Sequence, residues 1–276
     1  MAAAQLGPHD HPLISCLMVT QAVPARLESL ERSLAAYGRQ TYPNRELVIV
    51  LDQGTADARA AIRKAVDALG RDDIRIIDPP GPLTLGALRN VSWRAARGDI
   101  VCQWDDDDLY HPERLERQLA GLRAADGRSV CLQEVMHYTP ATRRMRLTNW
   151  RASPQASMPS TLMCLRSAPV CYPETGPEAR LGEDLVVHAQ LQALGGLHII
   201  EGAPHLYVYV SHGQNTCSDE HHRMIADRLG VSLGLLRRRE AAIRAGLAPF
   251  DFGPGEVVIE SPAGPAFSIP GQPATG

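Results

Sequence analysis

Gln103-Trp104-Asp105-Asp106-Asp107-Asp108-Leu109-Tyr110-His111-Pro112 is the stretch on which the reading of this chain turns. It follows an apolar run, Ile100-Val101-Cys102, and precedes a helical segment that Pro112 opens. In an extended segment side chains alternate, so Gln103, Asp105 and Asp107 share one face and Trp104, Asp106 and Asp108 the other. Two carboxylates on one face, where a strand ends, offer the hard oxygen donors that a divalent cation takes. An acidic run is equally the composition of a solvated turn, with one Asp near the next helix start for its dipole. The surrounding chain decides between the two.

Upstream, strand and helix patterns alternate. Leu13 to Val19 is nearly continuous in apolar residues, as a strand buried on both faces is. Leu27, Leu30, Leu34 and Tyr37 recur at helical spacing up to Gly38. Leu47 to Leu51 is a second buried strand, ending at Asp52-Gln53-Gly54-Thr55. Ile62, Ala65, Val66 and Leu69 mark a helix, Ile74 to Ile77 a third strand, and Leu85 to Arg97 the helix before the acidic stretch. This order predicts an α/β fold with a mostly parallel central sheet flanked by helices. Ligands on such sheets collect at the carboxyl ends of the strands, where Thr20, Asp52 and the four aspartates all fall.

Downstream, the pattern is mixed. Val130 to Tyr138 and Arg143 to Thr148 predict a strand pair turning at Thr139-Pro140-Ala141-Thr142, and Thr161 to Leu165 a short strand. Gly182-Glu183-Asp184 precedes a helix through Leu194, and two short strands, His198 to Ile200 and Leu206 to Val210, lead to Ser211-His212-Gly213-Gln214-Asn215-Thr216. A helical region carrying Ile225, Leu229, Leu233, Leu236 and Ile243 follows, with a basic run at Arg237-Arg238-Arg239. From Leu247 on, Pro and Gly predict a loosely ordered tail, with Val257-Val258-Ile259 as its one strand-like run. The expected division is one domain over 12–217 (a nucleotide-binding half, 12–108, and a smaller mixed acceptor half, 109–217), a helical extension over 218–246 and the tail over 247–276.

A formal net charge of −3 on 276 residues gives no reason to expect nucleic acid. No apolar run is long enough for a membrane span, and Met1 to His11 reads as a disordered lead-in without the pattern of a secretory signal. The expected location is the cytoplasm, including the cytoplasmic face of a membrane. The six cysteines are scattered without zinc or redox spacing and read as reduced, structural residues. With neither G-x-G-x-x-G after the first strand nor a Gly-Lys-Ser/Thr loop, a dinucleotide fold and a P-loop are disfavoured.

Six landmarks resemble the inverting family-2 glycosyltransferases of the A-type glycosyltransferase fold. They are Arg39-Gln40-Thr41-Tyr42-Pro43, Asp52-x-Gly54-Thr55, Gly86-x-x-Arg89-Asn90, Trp104 to Asp108 with Pro112, Glu183-Asp184, and His212-Gly213-x-Asn215-Thr216, in the family's order. The resemblance implies a nucleotide-diphosphate-sugar donor, a hydroxyl acceptor (glycan, lipid-linked or small molecule) and Mn²⁺ or Mg²⁺ on the diphosphate. It places the metal on Asp107, with Asp105 or Asp106 on the ribose or a metal-bound water. It also puts Asp52 and Gln53 at the nucleoside, Arg89 near the phosphates, Thr20 at the first strand's end and His212 at the metal or diphosphate. Glu183 and Asp184 become the catalytic acids, with Asp184 the base. Where the family commonly has two consecutive acids, this chain has Asp52-Gln53, an amide in place of the second.

Each assignment has a plainer counterpart. Acids at 183 and 184 also suit the first turn of a helix, Arg89 also suits an exposed helix face, and His212 a loop bonded to itself. The arginine-bearing helices after Ser218 suit a membrane surface or a second subunit, or simply cover the protein's own core. Two rival functions share the fold: a non-catalytic nucleotide-sugar binder, and a sugar-1-phosphate nucleotidyltransferase, for which Thr20-Gln21-Ala22-Val23-Pro24-Ala25 lacks the Gly-rich loop.

Overall fold

The computed structural model describes residues 11–125 and 127–271, so the expected lead-in, Met1 to His11, lies almost wholly outside the described residues. In chain order the elements begin β1 (Ile14–Ala22), α1 (Leu27–Gly38), β2 (Arg45–Gly54), α2 (Ala56–Asp67), β3 (Ile74–Ile77), α3 (Leu85–Ala95) and β4 (Ile100–Gln103). They continue with β5 (Leu109–Tyr110), α4 (Arg114–Ala124), β6 (Ser129–Leu132), β7 (Glu134–Thr139), β8 (Arg144–Asn149), β9 (Met158–Leu165), α5 (Glu183–Ala193), β10 (Leu197–Ile200) and β11 (Tyr207–Val210). Last come α6 (Asp219–Leu229), α7 (Leu233–Leu247), β12 (Glu256–Ser261) and β13 (Gly264–Pro270).

These elements form two compact units. The first comprises the residues up to Asp107, Glu113–Cys131 and Pro159–Ile200. Its seven-stranded sheet has the order β10-β6-β9-β4-β1-β2-β3. Strands β1, β2, β3 and β4 pair in parallel, and β9 joins β4 antiparallel. Their apolar runs read as continuous because both faces are covered: Leu17, Val48, Val101, Leu162 and Cys164 form one core with Val187 and Leu191 of α5. The Asp52-x-Gly54-Thr55 landmark has a local cause. A Cβ on Gly54 would lie 1.9 Å from the carbonyl oxygen of Ala22, so only glycine fits there. Thr55 then caps α2, its hydroxyl accepting from the Ala58 N–H.

The second unit comprises Asp108–Pro112, Leu132–Met158 and the residues from Glu201 onward. Its six-stranded mixed sheet has the order β13-β12-β8-β7-β11-β5. The expected strand at Val130 to Tyr138 is in fact two: β6 belongs to the first sheet and β7 to the second, with the chain changing sheets at Gln133. A continuous apolar pattern carries no mark of such a crossing. The Pro/Gly-rich tail is also corrected. Residues Glu256–Ser261 and Gly264–Pro270 form an antiparallel hairpin that joins β8, and Val257, Ile259 and Ile269 are buried. Its prolines Pro265 and Pro270 sit on the edge strand, where a missing N–H is tolerated. The apolar stripe of α7 (Leu236, Ile243, Leu247) packs into that unit's own core with Met145, Leu147 and Ile259. Residues 109–200 are shared between the units: Glu113–Cys131 and Pro159–Ile200 belong to the first, Leu132–Met158 to the second.

Candidate active site

The acidic stretch is the carboxyl end of β4, and the residue beneath it holds it in place. Trp104 is fully buried; its N–H donates to Leu17 O and its indole N–H to Ser33 Oγ at 2.9 Å. Tyr37 meets its ring edge-on at 5.9 Å, and the Arg114 guanidinium lies over it at 5.4 Å. Ser33 in turn donates to the Asp105 carbonyl at 3.0 Å. The alternation read from the sequence persists beyond the last ladder residue: Trp104, Asp106 and Asp108 are buried, while Asp105 and Asp107 are half-buried.

Asp106 is held from two sides. One carboxylate oxygen accepts from the Thr20 hydroxyl, and the other from Arg26 Nη1 at 3.1 Å. The same Arg26 nitrogen reaches Asp107 Oδ2 at 2.6 Å. Burial, reinforced by the charge of Asp107, pushes the Asp106 carboxyl up to about 7 despite Arg26 and Thr20. Arg26 ends a short 3-10 turn, Pro24–Arg26, between β1 and α1. The sequence reading missed it, because an isolated Arg in a Pro-containing turn carries no spacing signal toward residues 80 positions away.

A second arginine links this lip to the start of α5. Arg89 on α3 contacts Asp105 Oδ1 through Nη1 and Nη2, both at 3.2 Å, and donates through Nε to Glu183 Oε1 at 2.7 Å. Its guanidinium lies 5.9 Å from the Tyr172 ring. The Gly86-x-x-Arg89-Asn90 landmark explains how Arg89 is placed. A Cβ on Gly86 would meet the Pro173 carbonyl at 1.9 Å, and Asn90 exchanges hydrogen bonds with the Tyr172 backbone while donating to Glu174. Asn90 thus orients a loop, and Arg89 is a buried bridge instead of a surface residue.

Glu183 is buried and committed to Arg89, and Asp184 is half-buried, accepting the Leu185 N–H at 2.8 Å. Desolvation, then the neighbouring Glu183 charge, pushes Asp184 up to about 6, with Arg89 acting against both. That helix-end bond occupies Asp184 Oδ1. Thr20, Asp105, Asp106, Asp107, Arg89, Glu183 and Asp184 thus all belong to the first unit, clustered at its acidic lip and the start of α5.

Asp52 lies opposite Gln21 in the β1–β2 ladder, half-buried, with Gln53 exposed beside it. His212 belongs to the second unit, where its loop closes on itself: its N–H donates to Asn215 Oδ1, and its Nδ1 accepts from the Gln214 N–H. Asp108 also belongs there and is structural, accepting from the Tyr207 hydroxyl and the Val210 N–H. Among the described residues, no three His, Cys, Asp or Glu side chains converge as a preformed metal cage. No helix of the described residues is long and apolar enough to cross a membrane.

The sequence profile of glycosyl transferase family 2 matches residues 20–173, more than half of the chain. The chain belongs to glycosyltransferase family 2. It is 33% identical over 115 residues to an uncharacterized glycosyltransferase of Methanocaldococcus jannaschii, spanning 41% of this chain and 38% of that protein. It is 34% identical over 94 residues to EpsE of Bacillus subtilis, which carries a glycosyltransferase name, spanning 34% of each. The matched segments thus span little more than a third of these relatives' length.

Among solved structures, this family-2 chain superposes on the mannosyltransferase PcManGT of Pyrobaculum calidifontis, determined with GDP-Man and Mn²⁺. The TM-score is 0.57 at 17% identity, covering 88% of this chain and 68% of that one. It also superposes on S. aureus TarS 1-349 in complex with UDP-GlcNAc, with a TM-score of 0.55 at 14% identity, covering 86% and 67%. At these identities the likeness is one of fold: the A-type glycosyltransferase fold, with a mostly parallel central sheet.

Proposed function

We propose that this family-2 protein is an inverting glycosyltransferase that moves one sugar from a nucleotide-diphosphate-sugar to an acceptor hydroxyl. The observation that carries the reading is the Arg89 bridge, which joins the acidic lip at Asp105 to the acidic start of α5 at Glu183 within one compact unit. A donor-binding group and a base are thereby held in one network. Donor binding is assigned to the residues through Asp108, with Thr20, Asp52 and Gln53 at the same strand ends, and acceptor shaping to the residues after it. The cytoplasm is the proposed location.

The site's charge suits a divalent cation. Asp105, Asp106, Asp107, Glu183 and Asp184 share the ion pairs and fields of Arg26 and Arg89, yet Asp106 and Asp184 still titrate well above ordinary carboxylates. The donors are hard oxygens, and Mg²⁺ or Mn²⁺ at such sites takes one or two carboxylates and completes its shell from water and substrate phosphates. Asp107 and Asp105 would hold the ion. When bound, the ion supplies Lewis-acid neutralisation of the departing diphosphate.

The chain's own residues do the rest. Asp184, ionised at neutral pH yet more basic than a free carboxylate, accepts the acceptor's proton as its oxygen attacks the anomeric carbon opposite the leaving diphosphate. Glu183, fixed by Arg89, raises the proton affinity of the base. Asp184→Asn tests this: transfer with Mn²⁺ should fall by about 10²–10⁴-fold, while nucleoside diphosphates still raise the melting temperature. Undiminished transfer would move the base elsewhere. Donor binding without turnover in the wild type, across a broad acceptor set, would make the protein a binder.

A further inference from the structure

Arg26, which lies outside the six landmarks, bridges two of the four aspartates of the acidic lip. Arg26 Nη1 lies between two carboxylates, 2.6 Å from Asp107 Oδ2 and 3.1 Å from Asp106 Oδ1, with its side chain only 13% exposed. The two contacts differ in kind. Asp106 is anchored independently by Thr20 through its other oxygen, and it is buried at the sheet edge. Asp107 is the more accessible of the two, and Arg26 is its ion-pair partner. A cation bound by Asp107 meets a resident positive charge a few ångströms away, whereas a diphosphate arriving with that cation offers the guanidinium a charge-assisted partner. The short turn Pro24–Arg26 keeps the side chain within reach of both.

We propose that Arg26 is a positioning residue that occupies Asp107 in the donor-free protein and transfers to the donor's diphosphate when ion and donor bind together. It makes tight ion binding conditional on the donor. Its contact with Asp106 can persist while it leaves Asp107. The consequence is positive coupling between metal and nucleoside diphosphate, equal in both directions. This inference rests on the glycosyl-transfer reading for the identity of the anion, but its first measurement needs no donor.

The experiment measures Mn²⁺ affinity by the electron paramagnetic resonance of free Mn²⁺. It uses the full chain, with and without whichever of UDP, GDP or dTDP stabilises it most. In wild type the nucleoside diphosphate should tighten Mn²⁺ binding at least about tenfold, since Arg26 releases Asp107 to the metal and phosphate oxygens join its shell. In Arg26→Gln, Mn²⁺ alone should bind about tenfold tighter than to wild type, and the coupling should shrink correspondingly. Arg26→Lys, which carries its charge on a shorter side chain than the Nη1 that meets both carboxylates, should tighten Mn²⁺ about threefold and covers the case in which the glutamine variant does not fold. Unchanged or weaker Mn²⁺ binding in the folded variant overturns the proposal. If wild type binds Mn²⁺ but none of the three nucleotides, the glycosyl-transfer reading fails instead, and the metal-alone comparison still decides the role of Arg26.

Discussion

Replacing Arg89 with alanine should destabilise the protein in a way that depends on pH. The guanidinium has 11% of its side chain exposed and pairs with Asp105 and with Glu183, whose side chain is only 5% exposed. Breaking a buried ion pair from one side costs about 3–5 kcal/mol, because the partner charge stays buried without compensation. Asp105 keeps some solvent and a Gln103 amide contact at 3.2 Å, so a loss of about 3 kcal/mol at pH 8 is expected. Asp184 gives the loss its pH dependence. Its folded-state value, about 6 with Arg89 present, already exceeds the ordinary carboxylate value near 4, and removing Arg89 takes away the charge that holds it down. As pH falls through 6 toward 4, the folded chain binds a proton that the unfolded chain does not, so stability recovers on the acid side. The deficit should shrink to about 2 kcal/mol or less at pH 5.5. Urea unfolding of wild type, Arg89→Ala and Arg89→Ala/Glu183→Gln at both pH values measures it, with the second substitution recovering about 2 kcal/mol at pH 8 by removing the orphaned carboxylate. A loss under 0.5 kcal/mol, or one equal at pH 8 and pH 5.5, would refute the reasoning.

Three further outcomes follow from the same geometry. Activity with saturating donor and acceptor should fall on the acid side with a midpoint near 6, set by Asp184; a midpoint near 4 would mean that a solvated carboxylate is the base. Asp107→Ala should abolish the metal-dependent part of nucleotide binding in a thermal-shift titration, and intact metal dependence would move the ligand role to another residue. Asp108→Ala should lower stability by about 1–3 kcal/mol, because the Tyr207 hydroxyl and Val210 N–H lose their acceptor, yet leave metal-dependent nucleotide binding in place.

Much of the molecule is legible in its sequence. Helix spacing, continuous apolar strands and Gly or Pro punctuation located β1 to β4 and α1 to α3 within a few residues, because each signal is local. The Asp105–Asp108 alternation was legible for the same reason, and it separated the half-buried Asp105 and Asp107 from the buried Asp106. Arg89 and Glu183 were each marked by a landmark, but their pairing across 94 residues was not. Three features were not legible: the change of sheet at Gln133, the pairing of the strand-like run Val257–Ile259 with β13 and β8, and the ion pairs of Arg26. The hairpin is ordered by pairing with β8, more than 100 residues earlier, and no local pattern records a distant partner.

The sequence by itself determined which residue types stand at strand ends, where the chain must turn and which side chains alternate toward a core. Backbone geometry repeats every two or every 3.6 residues and leaves that trace in the order of apolar and polar groups. Only the tertiary structure decided which charges meet. Ion pairs such as Arg26–Asp107 and Arg89–Glu183 join elements whose separation along the chain carries no information about their distance in space, so the site's electrostatics exist only once the sheet is assembled.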